Sequence, residues 1–277
     1  MKKPTTPPAL RDQCLSHLRI LGVVVPPHDF DAALQRAEKE ALSHLRFLDL
    51  LFGQQAAARR ERSVERRIRD AHFKERKTLE TFDWKFNPQI DRVQIEELAT
   101  ADFIARRSNL VLVGQSGVGK SHIVQALGMR ACALGHRVLY RTSAKLLTEL
   151  TASLADKTLP QCLRDYSRPE LLIIDEFGFD HIERLESPQA AHLLYKVIVQ
   201  RHQRRSTALV TNIDFEGWAS YLADGPLAMA FLDRLVENST IIKIKGRSYR
   251  ARSSKHPKLS QPDPSTPSSN PQAPAPG

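Results

Sequence analysis

The sequence predicts an α/β domain built on a mostly parallel five-stranded sheet, and three observations carry that reading. Five short apolar runs, NLVLVG, HRVLYR, LLIIDE, TALVTN and TIIKIK, alternate with amphipathic stretches between residues 89 and 250. Such alternation is what strand–helix–strand units require. The first run leads directly into a glycine-rich loop followed by a helical pattern, and the third ends in two acids, Asp175 and Glu176.

With 277 residues, 41% of them apolar and 26% charged, the chain can bury one substantial core and a smaller appendage. No stretch approaches the roughly 18 consecutive apolar residues of a membrane span, so no membrane contact is expected. The opening MKKPTTPPAL has two lysines but no apolar segment behind them, unlike a secretory signal. Cys14, Cys132 and Cys162 are far apart and form no CxxC pair. They suit small buried hydrophobes in a reducing cytoplasm, not a disulfide framework or zinc site.

Residues 1–80 are expected to form a small helical N-terminal domain. Prolines at 4, 7, 8, 26 and 27 leave room only for short structure before residue 28. Leu34, Ala37, Ala41, Leu45, Leu48 and Phe52 then recur at helical steps, with Asp29 as N-cap and Gly53 as the stop. A second helix is expected over 54–77, with a thin apolar stripe of Val64, Ile68 and Ala71. Residues 55–80 hold nine Lys or Arg against five acids. Glu65 and Arg69, and Asp70 and Lys74, stand four apart and should pair along the helix. The remainder, within a net charge of +10, favours a nucleic-acid or protein partner over a merely solvated face. A second basic segment, residues 243–258, holds seven Lys or Arg and no acid.

The segment TFDWKFNP, residues 81–88, reads as an extended connector whose Phe82, Trp84 and Phe86 dock on the main domain, residues 89–252. Residues 253–277 carry seven of the chain's 17 prolines. Too little there can be buried to offset the cost of ordering the chain, so a disordered tail is expected.

The loop is Gly114-Gln115-Ser116-Gly117-Val118-Gly119-Lys120-Ser121, a match to G-x-x-x-x-G-K-[ST]. Its glycines allow a tight turn and close approach, so that successive N–H groups converge on phosphate oxygens at a helix N-terminus. Lys120 would reach the β- and γ-phosphates, and the Ser121 hydroxyl would ligate Mg2+. Asp175 is assigned to the magnesium shell, and Glu176 to the attacking water. The adjacent glutamate points to hydrolysis, not to phosphoryl transfer onto a bound small molecule.

Other candidates carry two readings at this level. Asn212, ending the TALVTN run, could touch the γ-phosphate or the water, although an Asn at a strand end is more often a turn former. Arg201, Arg204 and Arg205 close a helix, where the dipole favours positive charge. Residues 228–238 read as an amphipathic helix. From spacing alone, its Arg234 is better explained as a surface partner of Asp233 than as a catalytic group.

GQSGVGKSH, LLIIDEFGF, RRSTALVTN, the LDRL helix and KGRSYR, in that order and spacing, resemble the IstB-like helper ATPases of bacterial insertion sequences. These are AAA+ proteins related to the DnaC-type helicase loaders. The likeness covers residues 30–250, including the approach KTLETFDWKFNP. It implies an AAA+ P-loop core that binds ATP with Mg2+, and it extends the nucleotide loop to His122. It also implies that Asn212 takes the sensor I position and that Arg234 is the arginine finger offered to the next subunit's ATP. Arg250 would match a nucleotide-proximal basic position. The acting form implied is a homo-oligomer on double-stranded DNA, with ATP at its subunit interfaces, that stimulates the transposase of the same element. A replicative helicase loader is the alternative within the class. A small-molecule P-loop kinase is disfavoured by Glu176, and a non-hydrolysing scaffold by the intact loop and acids.

Overall fold

The computed structural model describes residues 8–180, 187 and 189–250; the Pro/Ser-rich segment lies outside them. Each of the five apolar runs becomes a strand: β1 (Asn109–Gly114), β2 (Val138–Thr142), β3 (Leu171–Phe177), β4 (Ser206–Thr211) and β5 (Ser239–Ile244). All neighbouring pairs are parallel, in the order β2-β3-β4-β1-β5. Side chains alternate across the pleat, so each strand feeds two cores. Leu110, Leu112, Ile173 and Val210 pack on one face, and Val111, Ile174 and Leu209 on the other.

The first face is covered by α4 (Arg92–Leu98) and α6 (Lys120–Ala133), through Ile95, Leu98, Ile123 and Leu127. The second is covered by α7 (Ser143–Ala155), α8 (Leu159–Ser167), α9 (Ala190–Arg201), α10 (Trp218–Leu222) and α11 (Gly225–Val236). A one-turn helix, α5 (Asp102–Ala105), precedes β1. Because β4 lies between β1 and β3, the loop after β1 and the acids ending β3 stand two strand spacings apart, roughly 10 Å. Ligand sites of open parallel sheets lie at these carboxyl ends.

The N-terminal region departs from expectation. A 13-residue helix, α1 (Pro8–Ile20), occupies the proline-flanked stretch, with Pro8 at its first position, where a missing N–H costs nothing. The stripe over 34–52 belongs to two helices, α2 (Pro27–Lys39) and α3 (His44–Ala71). Ala41 turns left-handed at φ 48 and the Ser43 hydroxyl caps the Arg46 N–H, so the break falls ten residues before Gly53. Gly53 lies inside α3, and the change of axis leaves Leu45 80% exposed. Asp29 sits in the first turn of α2, not at its cap, which is Pro26. Val25, Phe30, Ala33 and Leu51 form a small separate core, whereas Ile68 and Ala71 at the far end of α3 pack on the sheet domain.

The expected ion pairs also shift. Glu65 pairs with Arg76 at 2.7 Å, and Asp70 faces Arg69 at 4.0 Å. The helix ends at Ala71 and His72 is left-handed, so Lys74 is no longer on the helical wheel. The connector is a series of turns and is not extended: Trp84 N–H reaches the Phe82 carbonyl and Phe86 N–H that of Asp83. Its Phe82 and Trp84 do pack on the main core. Cys14, Cys132 and Cys162 are free thiols, and burial pushes Cys132 up to about 12. No described helix is long and apolar enough to cross a membrane.

Arg201 does more than close a helix. It is 1% exposed and donates to the carbonyls of Tyr166, Pro169 and Ser206 and to the Thr207 hydroxyl. It thereby ties α8, α9 and the start of β4 together with no carboxylate partner among the described residues, and burial lowers its guanidinium from the ordinary value. Arg201→Met should destabilise the fold by about 3 kcal/mol or more, because several buried acceptors lose their donor together. Urea unfolding of the two proteins measures this; equal midpoints would show the network to be dispensable.

Candidate functional site

A cavity of about 560 Å³ opens at the carboxyl end of the sheet. Its walls come from residues 116–122, from Asp175 and Glu176, from the connector around Phe82 to Asn87, and from Tyr249 and Arg250. The loop is built for close approach. Gly114 packs against β5 so tightly that a Cβ would fall 2.2 Å from the Ile244 carbonyl oxygen. Gly119, at φ 105, leads into α6, and a Cβ there would strike the Phe82 ring at 2.8 Å. Only glycine satisfies both the left-handed backbone and the contact.

Lys120 is 8% exposed, with its ammonium donating to the carbonyls of Gly114 (2.6 Å) and Gln115 (2.8 Å). Burial lowers this ammonium from its ordinary value, opposed by the charge of Asp175 and reinforced by Arg250. The adjacent Ser121 hydroxyl donates to Asp175 Oδ1 at 3.0 Å. Asp175, 1% exposed, also accepts from the Glu176 N–H on Oδ1 (2.8 Å) and from the Tyr140 hydroxyl on Oδ2 (2.8 Å). Burial raises its carboxyl above the ordinary carboxylate value, while the hydrogen bonds from Tyr140, Glu176 and Ser121 pull the other way.

Glu176 has φ 61, and the β3–β4 register slips between Ile174 and Phe177. A left-handed non-glycine residue costs about 1–3 kcal/mol, and a bulge of this kind re-aims a side chain. Here both Asp175 and Glu176 line the same cavity, which a regular strand would not allow. The Glu176 carboxylate meets the Lys74 ammonium at 3.3 Å.

The remaining candidates are placed differently from one another. His122 lines the cavity, with Nε2 2.8 Å from the Thr78 carbonyl oxygen and its ring edge-on to Phe82. Arg250 lines it too, held nearby by the Tyr249 N–H bond to the Gly117 carbonyl. Asn212 is exposed and abuts Gly178, while its neighbour Thr211 forms the wall. Arg234 stands away from this cavity on α11. It donates to the Ala230 carbonyl and lies 5.2 Å over the Tyr195 ring, with no ion pair to Asp233 among the described residues.

Three participants escaped the sequence reading. Tyr140 is a tyrosine inside an apolar strand; such a residue must satisfy its hydroxyl, but its partner follows only from the β2–β3 pairing. Gln125, 3% exposed, accepts from the Glu75 N–H and donates to the Ser121 carbonyl. Asn87 lines the cavity, and among the described residues its Nδ2 is the one buried side-chain nitrogen or oxygen without a partner. An orphaned donor on a cavity wall suits a polar ligand.

The donor set fits a magnesium nucleotide. Glycines and a lysine could cradle phosphates, and Ser121 and Asp175 could supply the few hard oxygens that Mg2+ takes beside phosphates. Tyr140→Phe should leave Asp175 Oδ2 without its buried donor. We expect about 1–3 kcal/mol of lost stability and a several-fold higher magnesium requirement for nucleotide binding. Thermal unfolding and titration of a fluorescent ATP analogue against Mg2+ read the two effects separately.

A glycine loop after the first strand, an acid pair one strand removed and a lysine folded over the loop define a P-loop core of the AAA+ type. The chain belongs to the IstB-like ATP-binding protein family, whose model matches residues 16–257. It is 37% identical over 220 residues to the ATP-binding protein of insertion sequence IS21 from Pseudomonas aeruginosa, covering 79% of this chain and 82% of that one. It is 32% identical over 243 residues to that of IS5376 from Geobacillus stearothermophilus, covering 88% and 95%. The crystal structure of DnaI shares the fold, with a TM-score of 0.51 and 21% identity over 61% of this chain and 92% of that one.

Proposed function

We propose that this protein is a Mg2+-dependent ATPase that assembles on double-stranded DNA and assists the transposase of its own insertion sequence. The observation that carries the reading is the convergence of Lys120, Ser121, Asp175 and Glu176 on one cavity. Loop N–H groups and Lys120 hold the triphosphate. Ser121 and Asp175 hold Mg2+, which neutralises charge on the phosphate oxygens when bound. Glu176 accepts a proton from the water attacking the γ-phosphorus, and the bond to ADP breaks. Asn212 reports on the γ-phosphate from the strand end beside it.

Arg234 completes the site of the next subunit. Its partly buried position on α11, away from its own cavity, supports a role in trans, so that ATP occupancy and assembly are coupled. DNA contact is assigned to α3. Arg59, Arg62, Arg66 and Arg69 recur at three- and four-residue steps on its exposed side, away from Ile68 and Ala71. Such a stripe binds phosphates without reading sequence. The insertion-sequence relatives support a transposition helper over a helicase loader.

The test is electron microscopy of the purified protein on duplex DNA with ATP, with ADP and without nucleotide. Assemblies that form with ATP and are lost with ADP are expected; identical images under all three conditions would reject the reading.

A further inference from the structure

The polypeptide between α3 and the main domain touches the proposed catalytic carboxylate, and its anchoring is specific. Phe73 packs on the sheet domain, its ring 6.1 Å from that of Tyr140 and so close to α6 that a Cβ on Gly128 would meet it at 2.7 Å. The Glu75 N–H is held by Gln125 at 3.0 Å, and Gln125 in turn holds the Ser121 carbonyl at 3.1 Å. Arg76 reaches back to Glu65 on α3 through two hydrogen bonds, 2.7 and 3.2 Å. Lys74 lies between these anchors and presents its ammonium to Glu176 Oε1 at 3.3 Å.

The arginine stripe of α3 and the carboxylate ending β3 are therefore joined by a few residues of chain. The stripe reaches Arg69; the helix ends at Ala71; Lys74 follows three residues later. Displacing α3 must strain either the Arg76–Glu65 pair or the Lys74–Glu176 pair. Lys74 is also 59% exposed on its side chain, so its ammonium is open to a competing phosphate.

We propose that Lys74 is a positioning residue that restrains Glu176 and releases it when DNA occupies α3. With one oxygen committed to the lysine, Glu176 is directed towards the segment that follows α3 instead of the water. A nucleic-acid phosphate backbone on the α3 arginines draws Lys74 away, and the carboxylate is freed to turn towards the γ-phosphate. Turnover thereby depends on the presence of DNA through a contact within one chain. This inference rests on the ATPase reading above.

The experiment compares steady-state ATP hydrolysis by full-length wild type, Lys74→Met and Lys74→Arg, with and without saturating duplex DNA. An exposed ion pair biases its partner only modestly. Lys74→Met should therefore raise the DNA-free kcat roughly two- to fivefold, with KM for ATP unchanged and the stimulation by DNA reduced by the same factor. Lys74→Arg, which keeps the charge, should behave as wild type, and all three should unfold at the same temperature. A DNA-free kcat in Lys74→Met that is equal to or below wild type, in protein that DNA does stimulate, overturns the restraint and leaves the ATPase reading standing. Wild type whose turnover is indifferent to DNA overturns the proposed release by DNA. Wild type without turnover overturns the ATPase reading and this inference with it.

Discussion

Lys120→Ala should bind no nucleotide detectable by calorimetry while remaining folded. The ammonium is buried at the mouth of the loop, where its donors now satisfy the carbonyls of Gly114 and Gln115. On the proposed reading a bound polyphosphate would take over at least two of those donors. Hydrogen bonds involving a charged group contribute about 1.5–3 kcal/mol each. Losing two raises Kd by roughly 10²–10⁴, which carries a micromolar ligand beyond the range of a titration. The carbonyls left behind lie on a loop open to the cavity and water can reach them, so stability should change little. Binding of ATP with wild-type heat by this variant would show that the phosphates lie elsewhere.

Glu176→Gln should separate binding from hydrolysis. Glutamine keeps the shape and leaves Lys120, Ser121 and Asp175 untouched, so ATP affinity should stay within a few-fold of wild type. The variant cannot accept a proton from water. Removing a positioned general base costs roughly 10²–10⁴ in rate. If hydrolysis loosens the assembly, this protein should accumulate as ATP-bound oligomers that do not leave duplex DNA on dilution. Single-turnover hydrolysis and retention on immobilised DNA measure the two consequences. Wild-type turnover would remove Glu176 from catalysis, and normal release from DNA despite blocked turnover would break the proposed link between hydrolysis and disassembly.

Much of the sheet domain was legible because its signals are local. A buried parallel strand must be apolar along its length, and all five runs read that way became strands. The glycine loop needs neighbouring residues at fixed spacing, so Gly114 to Ser121 could be placed from eight letters. The N-terminal region was less legible for an equally physical reason. The apolar steps from Leu34 to Phe52 suit one helix as well as two. The break comes from a left-handed Ala41 and a Ser43 cap, which have weak sequence signals, while Gly53 is tolerated within a helix that packs at both ends. The pair Asp70–Lys74 failed because the helix stops between its members, and Glu65 turned from Arg69 to Arg76, which the chain brings back against α3 after the helix has ended.

The sequence by itself determined the strands, the phosphate loop and the two acids, since each depends on side chains adjacent in the chain. Only the tertiary structure decided what surrounds them. It brought Tyr140 onto Asp175 across 35 residues, Lys74 onto Glu176 across 102, and Gln125 onto the Glu75 N–H across 50. It also set Arg234 apart from the cavity of its own chain. Contacts of this kind follow from strand order and chain reversal, and buried polar groups take whichever partner the packing brings within reach. No spacing along the chain encodes that choice.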